Sequence, residues 1–269
     1  MISPVRKPYV AGSFYPAEPR KLQDFLAQHL EPIFPLCPAK AVILPHAGYL
    51  YSGKTVGEVL RRVKIPEVSF LLGPNHEGVG EAFALYPEGG WETPLGLVPV
   101  DREFTAGLLE SSHDLRADPQ AHEREHSLEV EVPFLQHRNP RVKIAPLVIG
   151  TLDLDWAREV ALSLVEYLKS RPHFLIVVST DLSHYESNAA TRKKDRYALE
   201  AMVALDETAL AKGVESHRIT MCGFVPAVVG LVLAKALGAE KGTLVDYRTS
   251  AEASGDFDRV VGYAGLIIE

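Results

Sequence analysis

Three short apolar segments of this sequence are each followed, within a few residues, by a histidine. The segments and the polar residues after them are residues 41–44 with His46, residues 68–72 with His76, and residues 174–178 with Asp181 and His184. Apolar runs of this length, ended by proline, glycine or small polar residues, are typical of buried β-strands. In open α/β sheets the carboxyl ends of parallel strands lie along one edge, and ligands bind there. We therefore predict that three histidines and one aspartate converge at a single sheet edge.

The rest of the chain alternates predicted strands with predicted helices. We expect further strands at residues 142–148, 242–247 and 259–268, a hairpin within residues 83–101, and helices at residues 19–30, 54–62, 102–110, 125–137, 153–169, 188–204, 207–212 and 222–238. This alternation favours a three-layer α/β/α sandwich around a mixed, mainly parallel central sheet. Because no repeat or linker divides the sequence, we predict a single domain over residues 1–269, with residues 1–40 as an N-terminal arm packed on it.

Composition and charge exclude some classes of partner. The 269 residues carry a formal net charge of -7, which argues against a nucleic-acid partner because such partners require a basic face. The N-terminus lacks the uninterrupted apolar core of a signal peptide, and the longest apolar stretch, residues 224–234, is too short to span a bilayer. With only two cysteines, a disulfide framework is not expected. These features predict a cytoplasmic protein with no membrane partner.

Residues 48–55 satisfy the P-loop pattern G-x-x-x-x-G-K-[ST] and lie between a predicted strand and a predicted helix. A P-loop wraps phosphate groups with its backbone amides. Here Tyr49, Leu50 and Tyr51 crowd the loop, and His46 intervenes at the end of the strand. Nucleotide hydrolysis is therefore the less favoured hypothesis.

His46 and His76 are better explained as metal ligands. Neutral imidazole suits first-row transition metals, and loops on one sheet edge can bring two rings to one ion. The alternative is that both rings only cap strand ends through hydrogen bonds. The presence of a third such histidine, His184, argues against that alternative.

A metal site needs at least one more protein ligand, and Cys222 is the candidate. It precedes a predicted helix start, where the helix dipole and free amides favour the thiolate, which is the ligating form of cysteine. The alternative is a small buried side chain without function. The candidate catalytic residues are His184 as a base, Asp181 as a group that orients a ring or binds the ion, and His126 as a residue lining the pocket.

Six sequence motifs occur in an order that resembles one protein family. They are AGSFYP at residues 11–16, PHAGYLYSG at 45–53, LGPNH at 72–76, EHSLE at 125–129 followed by VPFL, STDLSHY at 179–185 and MCG at 221–223. Together they resemble the Memo family, whose prokaryotic members are also called AmmeMemoRadiSam system protein B. The P-loop string lies inside one of these motifs. The resemblance implies the fold of class III extradiol dioxygenases, an α/β/α sandwich that binds non-haem iron.

The resemblance also implies roles for individual residues. His46 and His76 match the two histidine ligands of the dioxygenases, and His184 matches their base. Cys222 stands where those enzymes supply a glutamate ligand. Because a thiolate shifts preference toward softer ions, the implied metal is iron or copper, and dioxygenase activity does not transfer with the fold.

Two classes of function are compatible with this resemblance. One is metal-dependent redox chemistry. The other is a non-catalytic module whose pocket binds a small molecule or a peptide, as animal members bind phosphotyrosine peptides. Radical-SAM and AMMECR-type proteins accompany the prokaryotic members and are the implied protein partners.

Overall fold

A computed structural model describes residues 4–269 of the chain. Its strands are β1 (Val5–Arg6), β2 (Ala41–Leu44), β3 (Val68–Pro74), β4 (Phe83–Leu85), β5 (Gly90–Thr93), β6 (Gly96–Pro99), β7 (Arg116–Ala117), β8 (Lys143–Ile149), β9 (Phe174–Ser179), β10 (His184–Glu186), β11 (Gly242–Thr249) and β12 (Val260–Ile268). Its α-helices are α1 (Pro19–His29), α2 (Tyr49–Leu60), α3 (Arg102–Ser111), α4 (Val132–Arg138), α5 (Leu154–Ser170), α6 (Asn188–Val203), α7 (Glu207–His217), α8 (Phe224–Ala236) and α9 (Ala251–Ser254). Over residues 4–269, no helix is both long and apolar enough to cross a membrane.

The main sheet is parallel at its centre, and the strands on either side of that centre run antiparallel to it. Its spatial order is β10-β12-β2-β9-β3-β8-β4-β7, and β11 pairs with β12. The central strands β2, β9, β3 and β8 are parallel, whereas β12 and β4 run antiparallel to their inner neighbours. The predicted mixed sheet is therefore confirmed. Because β2, β9 and β3 are adjacent and parallel, the loops that carry the three predicted histidines leave the same edge.

Helices cover both faces of this sheet. In β2, Ala41 and Ile43 pack in the core formed with α3, α5, α6, α7 and α8, whereas Val42 and Leu44 pack in the core formed with α1, α2 and α4. Successive side chains of a strand point to opposite faces, so a strand covered on both faces is apolar throughout. These layers form the three-layer α/β/α sandwich that the sequence predicts.

The hairpin predicted within residues 83–101 is formed by β5 and β6, and β1 pairs in parallel with β5 to make a second, three-stranded sheet. Residues 6–15 are also held by a hydrogen-bonded cluster around the buried Glu129 carboxylate, which we call the arm anchor. Its members are Arg6, Tyr9, Val10, Tyr15 and Glu129. Arg6 pairs with Glu129 at 2.7 Å, and both side chains are almost fully buried. The arm anchor thus joins residues 6–15 to the segment before α4; residues 1–3 of the predicted arm lie outside the described part of the chain.

Helix α2 starts earlier than predicted. We expected a helix from residue 54, but α2 begins at Tyr49. No side chain caps this end; instead the Tyr49 amide donates to the Phe14 carbonyl at 2.8 Å, a tertiary contact that the local pattern does not reveal. Residues 49–55 are therefore helical and Lys54 is exposed. A helix cannot wrap a phosphate as a P-loop does, so the fold removes the structural basis for that hypothesis.

The helix predicted over residues 125–137 is also shorter than expected. A turn is followed by a 3-10 helix, Glu129–Glu131, and then by α4. The Glu125 carboxylate accepts from the Ser127 amide at 2.8 Å, which stabilises the turn in place of a helix. As a result, His126 lies before the turn and the 3-10 helix, and it shares no helical face with Glu129.

Candidate metal centre

His46 and His76 lie just beyond the carboxyl ends of two strands that flank β9. Each follows the last residue of its strand by two positions. Their ring centroids are 5.1 Å apart and the ring planes cross at 81°. His46 is buried, whereas the His76 side chain is 30% exposed. His46 therefore lies on the buried side of the site, and His76 lies on the side that is open to solvent.

Hydrogen bonds determine which nitrogen of His46 is free. Its Nδ1 lies 2.7 Å from Ser179 Oγ, and that hydroxyl donates to the Ser127 carbonyl at 2.7 Å. Because a hydroxyl has one proton, Ser179 accepts from His46 Nδ1–H. Burial and then the neighbouring imidazoles of His76 and His126 lower the pKa of His46 well below its usual range. The ring is thus neutral, with the lone pair on Nε2.

His76 is oriented by a buried carboxylate. Its Nδ1 lies 2.9 Å from Glu125 Oε1, and its backbone amide donates to the second oxygen of Glu125. Burial opposes ionisation of Glu125, but the hydrogen bond and charge of His76 and the amide of Ser127 lower its pKa to about 2. Burial lowers the pKa of His76, but the hydrogen bond and charge of Glu125 outweigh burial and raise the pKa of His76 overall. A carboxylate behind a histidine is the usual partner of a metal-bound ring and leaves Nε2 free for an ion.

His126 lies beside both rings. Nitrogen atoms of His46, His76 and His126 all lie within 4.8 Å of one another, so this histidine-rich cluster could hold a metal ion. His126 stacks on His76, with centroids 4.6 Å apart and planes 21° apart, and it also packs against Phe14 at a centroid distance of 4.8 Å. An imidazole lone pair lies in the plane of its ring, so two stacked rings cannot both aim at one ion without rotating. Perpendicular rings, such as His46 and His76, can do so.

Cys222 is placed directly at the free nitrogen of His46. Its Sγ lies 3.2 Å from His46 Nε2 and accepts from the Asp181 amide at 3.3 Å. The next residue allows this approach: a Cβ on Gly223 would lie 2.4 Å from the Ser179 carbonyl oxygen, so glycine is required where α8 starts against the end of β9. The sulfur and the imidazole nitrogen therefore face each other across one hydrogen bond.

The expected low pKa of Cys222 is wrong for the geometry of this site. Burial, and then the charge of Asp181, raise its pKa and outweigh the amides of Asp181 and Gly223. The thiol is therefore protonated, and it donates to the lone pair of His46 Nε2. The position near the helix start has less influence than removal of the sulfur from water.

Asp181 supports the loop of His46. Its Oδ1 accepts from the His46 amide at 2.9 Å, and the Ala47 amide also donates to it. Burial raises the pKa of Asp181 to about 7 despite these amides. We expected Asp181 either to orient a ring or to bind the ion. Its contacts with backbone amides favour the first role, because they hold the loop that carries His46.

His184 begins β10 and interacts electrostatically with His46 and His76, but it is not one of the three histidines whose nitrogen atoms lie within 4.8 Å of one another. Its amide donates to Thr220 Oγ1 at 2.7 Å, and its Nδ1 lies 2.8 Å from the Thr220 carbonyl oxygen, to which it donates. Burial lowers its pKa, so the ring is neutral. Its Nε2 is left with a free lone pair, which is what a general base requires.

The donor set suits a transition metal. A tetrahedral ion with bonds of about 2.0–2.3 Å separates nitrogen and sulfur ligands by about 3.5 Å. His46 Nε2 and Cys222 Sγ are 3.2 Å apart. The Nδ1 atoms of His46 and His76 are already engaged by Ser179 and Glu125, so their rings need no change of tautomer to bind an ion.

Sequence reasoning missed three residues that surround this site. Ser179 orients His46, Glu125 orients His76, and Glu131 is completely buried nearby. Glu125 precedes His126 in a predicted helix whose polar residues also fit a solvated face, and nothing in the sequence around Glu131 marks it as buried. Ser179 is the last residue of an apolar strand. A polar residue at that position is the sequence feature that could have indicated a role in the site.

Comparisons with known proteins agree with the sequence motifs. Residues 6–267 match the family described as Memo-like protein. The chain is similar to a MEMO1 family protein of Aquifex aeolicus, at 45% identity over 98% of each chain, and to one of Methanopyrus kandleri, at 39% identity over 97% of this chain and 98% of that one. An uncharacterized protein of Escherichia coli K12, JW3007, shares the fold, with a TM-score of 0.52 and 12% identity over 84% of this chain and 98% of that chain. This chain belongs to the Memo family.

Proposed function

We propose that this protein binds one iron or copper ion through His46, His76 and Cys222 and takes part in metal-dependent redox chemistry. The observation that carries the proposal is the 3.2 Å separation of His46 Nε2 and Cys222 Sγ, beside a second imidazole whose Nδ1 is already engaged. Imidazole and thiolate together suit both iron and copper.

The side chains of the site are arranged for such chemistry. When bound, an iron or copper ion supplies electron exchange that none of these side chains can provide. Asp181 holds the His46 loop, and Ser179 and Glu125 hold the rings. His184 can accept a proton from a bound ligand at Nε2, because its Nδ1–H is tied to the Thr220 carbonyl.

Elemental analysis of protein purified without a chelator or a histidine tag tests the metal. We expect one equivalent of iron or copper per chain, and we expect His46→Ala to abolish stoichiometric binding. Binding that persists undiminished in His46→Ala would contradict the proposed site.

A matched pair of variants identifies the third ligand. Cys222→Ser replaces a soft donor with a neutral hydroxyl and should weaken binding markedly. His126→Phe keeps a ring stacked on His76 but removes its nitrogen, so it should leave affinity nearly unchanged. The reverse result would assign the third position to His126.

Oxygen consumption by the metal-loaded protein separates the redox hypothesis from a binding module. Metal-dependent oxygen uptake in the presence of a reductant, lost in His46→Ala, supports redox chemistry. Tight ligand binding that survives removal of the metal would instead support a pocket that only binds a small molecule or peptide.

A further inference from the structure

Glu131 is a buried acid without partners. It ends the 3-10 helix before α4, and its side chain is completely inaccessible to solvent. Neither carboxyl oxygen makes a hydrogen bond, and within residues 4–269 no Lys, Arg or His forms an ion pair with it. An ionised carboxylate in such surroundings is strongly disfavoured, so the group is held as the neutral acid.

The groups that face Glu131 come from three elements. Asp181 lies in the loop after β9, Tyr49 lies on α2, and Ser179 ends β9. Burial, and then the charge of Asp181, raise the pKa of Glu131, whereas the Ser179 hydroxyl lowers it. No cation is among these neighbours. Ser179 is therefore the one neighbour that favours the ionised form.

Ser179 also connects Glu131 to His46. Its Oγ accepts from His46 Nδ1–H and donates to the Ser127 carbonyl, each at 2.7 Å. We call Glu131, Ser179, Ser127 and His46 the site floor. The hydroxyl can keep its bond from His46 while its single proton turns from the Ser127 carbonyl to the Glu131 carboxylate. Glu131 is thus one hydroxyl away from the imidazole that faces Cys222.

We infer that Glu131 is the buried counter-charge of the site, neutral while the site is empty and ionised when a cation binds at His46. The inference rests on the proposed metal site. The O–H bond of the Glu131 carboxyl breaks and its proton passes to solvent. The hydrogen bond from Ser179 to the Ser127 carbonyl is exchanged for one from Ser179 to the carboxylate. His46 keeps its proton on Nδ1, so the ring is supported by a negative charge instead of a neutral carbonyl.

Counting protons on metal binding tests this inference. Metal-free protein is titrated anaerobically with Fe²⁺ by calorimetry in buffers of different ionisation enthalpy. We expect wild type to release one more proton per ion than Glu131→Gln. Its apparent affinity should also gain about tenfold more per pH unit than that of Glu131→Gln, below the pH at which Glu131 ionises without metal. Glu123→Gln, an exposed position in the same segment, is the matched control and should behave as wild type.

Infrared difference spectra give a second readout that is independent of affinity. Binding of Fe²⁺ should remove a protonated-carboxyl band in wild type, and that loss should be absent in Glu131→Gln and reduced in Ser179→Ala. If Glu131→Gln does not fold, Glu131→Met serves in its place. Equal proton release and an unchanged band in wild type and variant, with Fe²⁺ bound stoichiometrically in both, would overturn the inference alone. If wild type does not bind Fe²⁺, the titrations are repeated with Cu⁺, and failure to bind either ion would overturn the proposed function and this inference together.

Discussion

The arm anchor and the site floor each contain one buried glutamate of the same 3-10 helix, Glu129 and Glu131. The surroundings of the two carboxyl groups are opposite. In the arm anchor, Glu129 has a complete set of partners: Arg6, the amides of Tyr9 and Val10, and the Tyr15 hydroxyl. In the site floor, Glu131 has none. The Tyr49 hydroxyl donates at 2.7 Å to the carbonyl of Val130, between the two. A carboxylate with full partners joins distant segments of chain, whereas an unpartnered acid keeps the capacity to change charge.

The largest effect is expected from breaking the arm anchor. Arg6→Ala leaves Glu129 buried without its cation and should lower the free energy of unfolding by about 3–5 kcal/mol. Urea denaturation followed by circular dichroism measures it. Lys7→Ala, at an exposed neighbouring position, should change stability by less than about 0.5 kcal/mol. Similar stabilities for the two variants would show that the arm anchor contributes little.

The same kind of change in the site floor should have the opposite sign. Glu131→Met removes a buried polar group that has no partner, so the metal-free protein should gain about 1–3 kcal/mol. Glu129→Met should instead lose stability, because Arg6 would be left unpaired. Calorimetry of both variants without metal compares them directly. A loss of stability in Glu131→Met would mean that its carboxyl makes a bond essential to the fold.

The pH dependence of stability sharpens the contrast. Above the usual glutamate pKa of about 4.3 the unfolded chain loses a proton that folded Glu131 keeps, so stability falls as pH rises, by up to about 1.4 kcal/mol per pH unit. The fall ends where the pH passes the raised pKa of folded Glu131. Asp181, whose pKa burial raises to about 7, adds a slope of the same sign. The difference between wild type and Glu131→Gln therefore isolates Glu131, and identical slopes would contradict its burial as a neutral acid.

The smallest effect is expected on α2, which touches both regions. Lys54 is exposed there, so Lys54→Ala should leave metal affinity unchanged and stability within about 0.5 kcal/mol. The measurements are Fe²⁺ titration and thermal unfolding, with ATP binding as a further check. Saturable ATP binding that disappears in Lys54→Ala would restore the P-loop hypothesis that the helical geometry of residues 49–55 opposes.

The apolar strand segments and the histidines after them were predictable because their signals are local. Residues 41–44 and 174–178 are apolar along their whole length, which indicates strands covered on both faces, and each is part of the parallel centre of the sheet. The positions of His46 and His76 beyond strand ends follow from the same pattern. Whether these residues act as ligands remains a prediction.

The partners of those histidines could not be predicted, because they come from distant parts of the chain. Ser179 is 133 residues from His46, Glu125 is 49 residues from His76, and Cys222 is 176 residues from His46. The pKa of Cys222 was predicted in the wrong direction for the same reason, since burial depends on how α8 packs against β9 and not on the residues beside the cysteine. Sequence alone determined which residues stand at the sheet edge, because hydrophobic periodicity and strand ends are properties of a few consecutive residues. Only the tertiary structure decided that Glu129 is paired and Glu131 is not, because hydrogen bonding and desolvation depend on every element that packs around a side chain.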